Sequence, residues 1–298
     1  MSFLGEDHLK KSLKEVSWQG YLREWANVTL EEWILRGQSS QGSNQISLKS
    51  SLERALTSYH IPFSKAPEIE EWMIRDFRRK YEGIDSQGVI EDTLYCLSLM
   101  QHYGCPTRLL DFTYSPYIAA FFAVENMSIG KEGKREAFVV CFNHKWMIDA
   151  AKKNIADSNL FKKRFYDNMR SDKSFRPLYM KKKRSFIVSE TPFQLHRRLS
   201  IQRGVFMIQG DITKTMRENI ELMDGWQNES NVLIYKLKIN TGRELKKVYG
   251  DLRLMNITHE SLFPGLDGFA KSLKQNLYWY RDLKENKDAV NPFLTRRR

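Results

Sequence analysis

Cysteine is scarce in this chain: three in 298 residues, at Cys96, Cys105 and Cys141. No two form a CxxC and none falls in a histidine-rich cluster with zinc spacing. A disulfide framework and a structural zinc site are therefore not expected, and no metal is assigned. An odd, sparse count fits a reducing compartment. Glycine-rich phosphate loops are missing as well. There is no GxGxxG and no GxxxxGK[ST], so phosphate binding at a glycine-rich helix start is not signalled. HExxH and GxSxG are also absent. Long apolar runs are lacking: the best candidate, around Ile118 to Val124, is far too short to cross a bilayer, so no membrane partner is expected. The first residues, Met1 to His8, are acidic and carry no apolar core of a signal peptide, and the expected location is the cytoplasm. No internal repeat, low-complexity segment or linker interrupts the chain.

Negative charge is in deficit. Lysine and arginine number 48 against 36 aspartates and glutamates, a net charge of +12. That imbalance favours an anionic partner, nucleic acid or an acidic protein. Two local runs carry the excess: Lys181, Lys182, Lys183 and Arg184, then Arg197, Arg198 and Arg203. The first reads either as a solvated loop or as a phosphate-contacting face, and the second as a surface that would suit a polynucleotide. The 41% hydrophobic and 12% aromatic content is enough for a core.

Periodicity divides the chain into short strands and helices at irregular spacing, an α+β pattern. The spacing predicts a helix from Trp18, broken near Asn27-Val28-Thr29, and then a short strand over Trp33 to Gln38 closed by a polar loop from Ser39. Helices are expected over Leu48 to Tyr59, over Glu68 to Tyr81 with Trp72, Phe77 and Tyr81 inward, and over Ile90 to Tyr103. Strands are expected at Thr107 to Phe112, Ala137 to Phe142, Ser185 to Ser189, Val205 to Ile208 and Val232 to Ile239. Lys145 to Met180 reads as helix followed by loop. Helices at Arg243 to Tyr249, Ser261 to Phe263 and Gly265 to Tyr280 close the series. Residues 1–281 are expected to form one domain with an N-terminal helical segment, and 282–298 a basic polar tail.

One stretch stands out: Gln101-His102-Tyr103-Gly104-Cys105-Pro106-Thr107-Arg108-Leu109-Leu110-Asp111-Phe112-Thr113-Tyr114-Ser115-Pro116, running into Tyr117 to Ala123. Gly104 is placed to end a helix in a left-handed cap, and Ser115-Pro116 to start the next one. Between them lie polar groups that packing alone does not require. Polar side chains at such junctions either cap helices or line a site. Arg36 is the other outlier, a guanidinium inside a buried-looking strand. It must pair with a core carboxylate or grip an anionic ligand.

Four blocks resemble the FRG domain family: Leu35-Arg36-Gly37-Gln38, the stretch from Gln101 to Ala123, Arg198-Leu199-Ser200-Ile201-Gln202-Arg203-Gly204-Val205-Phe206, and Leu262-Phe263-Pro264-Gly265-Leu266-Asp267-Gly268. More distantly, their order is similar to ADP-ribosyltransferase folds. The resemblance implies an ADP-ribosyltransferase-like split sheet, mixed or antiparallel, with packed helices and helical additions. It also implies NAD as co-substrate. Arg36 would grip its pyrophosphate or a ribose hydroxyl, Tyr103 would stack on the nicotinamide, and Thr113 and Ser115 would hold the ribose. Gly37, Gln38, His102 and Arg108 complete that set. Arg36, Asp111 and Gln202 would be the catalytic residues.

The third block departs from the family pattern, because Gln202 stands where a glutamate is expected and carries no charge. Asp111 or Glu190 would then supply the carboxylate that glycosidic cleavage calls for. Asp111 could equally be an ion-pair partner of Arg108 or Arg36. Two functions remain open. One is an NAD-dependent ADP-ribosyltransferase acting as a toxin or antiviral-defence effector. It would modify nucleic acid, RNA for preference, and be held by a neutralising antitoxin or chaperone. The other is a non-catalytic module docking nucleic acid or an acidic protein through its basic face.

Overall fold

The computed structural model describes residues 12–28, 31–41, 46–82, 91–127, 135–155, 157–166, 172–181 and 183–273. It divides into two compact units, Met1–Ile239 and Asn240–Arg298. The expectation for 282–298 lies outside the described residues, as does Lys182.

The first unit is built on a seven-stranded sheet. In chain order its strands are β1 (Leu13–Val16), β2 (Trp33–Gln41), β3 (Leu110–Thr113), β4 (Arg135–Asn143), β5 (Ile187–Glu190), β6 (Gly204–Gln209) and β7 (Val232–Leu237). Across the sheet they stand β1-β7-β4-β2-β3-β6-β5. The β1–β7 pair is parallel and every other pair is antiparallel, so the sheet is mixed and the chain α+β. β1 had no sequence expectation: a four-residue strand with a charged middle has too little alternation to announce itself. β2 continues three residues beyond Gln38, where a loop was expected, because β4 offers a partner as far as Gln41↔Arg135.

β4 shows why the sheet sits at the centre. Ala137 to Phe142 are all fully buried, which requires cover on both faces. Phe138, Val140 and Phe142 join a core cluster with Leu97, Met100, Met147, Phe161 and Phe175 from surrounding helices. Those helices include Ala66–Glu82, Thr93–His102, His144–Asn154, Ser158–Phe165 and Asp172–Tyr179. Three of them replace the helix-then-loop expected over 145–180. Trp72, expected inward, is 52% exposed; the face of its helix that packs is set by Ile74, Phe77 and Tyr81.

The helix Pro116–Val124 forms as the sequence suggests. Ser115 accepts from the Ile118 amide at 3.3 Å and Pro116 takes the first turn. Ile118, Ala119, Ala120, Phe121, Ala123 and Val124 are all buried. Gly37 in β2 permits this contact. A methyl group there would strike the Ala119 carbonyl and the Ala123 amide, so helix backbone and strand backbone touch directly.

The helix Thr93–His102 ends as expected. Gly104 takes φ +86°, its amide donates to Gln101 O at 3.0 Å, and Cys105 donates to Met100 O at 2.8 Å. That is a Schellman turn. It delivers the next residues to β3, which begins at Leu110 rather than Thr107 because Thr107 is used elsewhere: its carbonyl accepts from the Leu52 amide at 3.0 Å.

The second unit holds the helices Gly242–Leu254 and His259–Leu262, and residues 266–273 are helical as well. Thr241 and Glu244 close a reciprocal capping box on the first of these. Leu245, Val248, Tyr249 and Leu252 form its buried face.

Candidate functional site

β2 and β3 meet at a single registered pair, Leu35↔Thr113. Beside it the two strands are joined by a side chain: Arg36 Nη1 donates to the Asp111 carbonyl at 2.8 Å. Arg36 Nε is buried and has no hydrogen-bond partner. Burial lowers the Arg36 pKa, the Asp111 charge opposes that, and Arg54 adds to it. The core carboxylate foreseen as one partner of Arg36 is not what the strand provides: Nη1 bonds the Asp111 backbone, and Nε is unmet.

The Asp111 side chain points to solvent and is held from the other side. Gln101 Nε2 donates to Asp111 Oδ1 at 2.8 Å. Gln101 Oε1 accepts a hydrogen bond from the Thr107 hydroxyl, and that bond fixes which end of the amide faces the carboxylate. Thr107 is anchored in turn, its amide donating to Ser51 Oγ at 2.9 Å.

The remaining predicted residues divide sharply. Thr113 Oγ1 donates to the Gln202 carbonyl at 2.7 Å and accepts from the Ser115 amide at 3.0 Å. The three sequence blocks therefore converge, with Gln202 joining through its backbone as the cap of the helix Arg197–Ile201. Ser115 caps the next helix, and Gly37 is occupied by packing. Gln38, with its amide set to satisfy both ends, exchanges two 2.9 Å bonds with the Ser47 backbone.

Arg108 is 1% exposed. Its Nε meets both Glu70 oxygens at 2.9 Å and its Nη1 donates to Tyr179 O at 2.9 Å. It is a core ion pair, which removes it from the cofactor set and from Asp111. Glu190 is also committed elsewhere. Arg164 grips it with two 2.8 Å bonds and Tyr179 Oη donates at 2.6 Å. Of the two carboxylates considered, Asp111 is the one left accessible.

His102 and Tyr103 are exposed at the end of their helix. The His102 ring lies 4.9 Å from that of His196. His196 caps the helix Arg197–Ile201 through Nδ1, accepting from the Leu199 amide at 3.2 Å. Burial, then His102, then Arg198 push the His196 pKa down to about 4, against the pull of Asp111. Burial and then Arg198 lower that of His102. His196, Gln101 and Arg54 are the site residues that sequence reading missed. Histidine is an uncommon cap, Gln101 resembles part of an apolar face, and Arg54 lies on an ordinary amphipathic helix. Of the basic run, Lys181 and Lys183 are exposed and Arg184 is half-buried, its Nη1 on Pro177 O at 3.4 Å. Arg197 and Arg203 are exposed, and Arg203 takes φ +46° where its carbonyl accepts from Tyr114 N at 3.0 Å. Among the described residues no group of three or more His, Cys, Asp or Glu is arranged to hold a metal.

Fold and site together define a mixed-sheet α+β protein with a guanidinium, a carboxylate and two imidazoles gathered around the β2–β3 seam. Residues 31–132 match the family model of the FRG domain. The match takes in Arg36 and the whole Gln101 to Ala123 block; the two later blocks lie beyond it. No curated protein matches the chain. No solved structure matches it either.

Proposed function

We propose that the chain is an NAD-dependent ADP-ribosyltransferase-like effector, with the seam between β2 and β3 as its site. The observation that carries this reading is Arg36: a half-buried arginine whose buried Nε has no partner, next to an accessible carboxylate. Leaving a buried charged donor unmet costs several kcal/mol in general, ~1–3 for the hydrogen bond alone. An anionic ligand would meet that donor. The residues fit NAD in part. Arg36, with Arg54 close enough to depress its pKa, suits a pyrophosphate. Asp111, oriented by Gln101, suits a ribose hydroxyl or the positive charge that develops as a glycosidic bond breaks. NAD would supply the bond that is broken. The protein would orient it, and an RNA acceptor fits the net charge of +12. A toxin or antiviral-defence role under the control of a neutralising partner follows from the danger of such an activity in its own cell.

A second reading, a non-catalytic binding module, draws on a different observation. The hydroxyls of Thr113 and Ser115 already serve the backbone, and Gln202 supplies a carbonyl. Incubation with labelled NAD and total RNA separates the two. Label on RNA that disappears in Arg36→Ala and Asp111→Asn supports transfer. Intact NAD with every acceptor ends that reading and leaves the module.

A further inference from the structure

Five aromatic rings follow one another along the first unit. Tyr81 stacks on Phe77 at 6.0 Å between centroids, Phe77 is 6.5 Å from Tyr103, Tyr103 is 5.1 Å from His102, and His102 is 4.9 Å from His196. The row starts against the core, where Phe77 and Tyr81 pack. It ends at His102 and His196, and Gln101, the neighbour of His102 in the chain, bonds the Asp111 carboxylate at 2.8 Å. Core packing accounts for its inner end. It does not account for Tyr103, which is 69% exposed at a helix terminus, or for the exposed His102 beside it. The Schellman turn is made by backbone alone and does not call for a phenol ring at this position. Cations accompany the row. Arg198 acts on both imidazoles, and Arg197 and Arg203 are exposed on the same helix and at its end.

We propose that this row is a docking track for single-stranded nucleic acid, with bases stacking on Tyr103 and His102 and phosphates meeting Arg197, Arg198 and Arg203. Flat rings alongside arginines form the general platform for unpaired strands, since every base has a face to stack. A duplex keeps its base faces covered and cannot use Tyr103. An acidic protein would satisfy the arginines and leave the rings without a role. The track deepens the acceptor half of the proposed transferase reading, because it leads an unpaired strand toward Asp111. Binding can nevertheless be measured without any transfer.

The experiment is fluorescence anisotropy of the full chain with dye-labelled 12-nucleotide RNA, the same sequence as DNA, the RNA duplex, and polyphosphate. Tyr103→Ala, Tyr103→Trp and Arg197→Ala are tested beside the parent. Tyr103 is exposed, so its replacement does not threaten folding. The expected result is single strand over duplex and polyphosphate, a loss of about 5- to 100-fold in Tyr103→Ala, and retention in Tyr103→Trp. Arg197→Ala should weaken binding and flatten its dependence on salt. Preference for RNA or for DNA identifies the strand, and either sustains the proposal. Equal affinity for polyphosphate and single strand, an unchanged Tyr103→Ala, or no binding overturns it. Single-strand binding with NAD left intact keeps this track and ends the transferase reading. NAD consumption with no strand binding does the reverse.

Discussion

Single side chains decide the site's limits. Arg108 and Glu70 are 1% and 0% exposed and pair with each other in the core. Such a pair is costly to break from one side, since the survivor is a buried uncompensated charge. Arg108→Met should therefore lose about 3–5 kcal/mol of stability in urea unfolding, and adding Glu70→Leu should restore most of it. In sequence Arg108 and Asp111 look alike, polar residues among leucines. What separates them is a carboxylate 38 residues away in the chain, which no local pattern discloses. His196 gives a pH-dependent case. Its pKa lies near 4 in the fold against an ordinary 6.5, so between those values the unfolded chain takes up a proton that the folded one refuses. Stability from this group is complete above pH 6.5 and declines as pH falls toward 4. Protonation also ends the cap, because Nδ1 must accept from Leu199. The groups acting on His196 are His102 and Arg198, which depress its pKa, and Asp111, which raises it. His196→Ser keeps a cap and removes the titration. Its melting temperature should fall less steeply between pH 6.5 and 4, and His102→Ala should raise the His196 pKa read by NMR. Partial solvent screening keeps the effect below the full ~1.4 kcal/mol per pH unit.

At the level of elements, the helix Pro116–Val124 lies backbone to backbone against β2. Ala119 and Ala123 face Gly37 with no side chain between the backbones. Gly37→Ala must push helix and strand apart, and since the obstacles are main-chain atoms no rotamer can relieve them. A loss of about 3 kcal/mol is expected in chemical denaturation, the upper end of the usual overpacking cost. This contact explains what the sequence made legible. The Ser-Pro start, the alanines and the apolar surround of that helix are local signals of capping and burial, and they appear as read. So do the Gly104 turn and strands β4, β6 and β7. β1 and the helices Ser158–Phe165 and Asp172–Tyr179 were not legible, because their stability comes from partners distant in the chain. The site was legible in part for the same reason. Arg36, Asp111 and Thr113 stood out as polar residues in apolar segments and do converge, while His196 and Arg54 acquire their place only when their helices are packed.

Across the whole molecule the surplus of positive charge matters more than any one residue. An excess of twelve raises the rate at which polyanions arrive, and salt screens it. If charge alone held the strand, affinity would track ionic strength and ignore base stacking. On the proposed track, stacking would be a second, salt-insensitive contribution, so some binding by the parent should persist at an ionic strength where Tyr103→Ala has lost it.

The sheet's strand order has one more consequence. β5, at one rim, is buried at every residue, and β1, at the other, carries Lys14 and Glu15, with Glu15 tied to Lys236 at 3.3 Å. Neither margin offers the flat, greasy template on which strands from other copies add in register. Among the described residues, the sheet's two rims therefore disfavour edge-to-edge association.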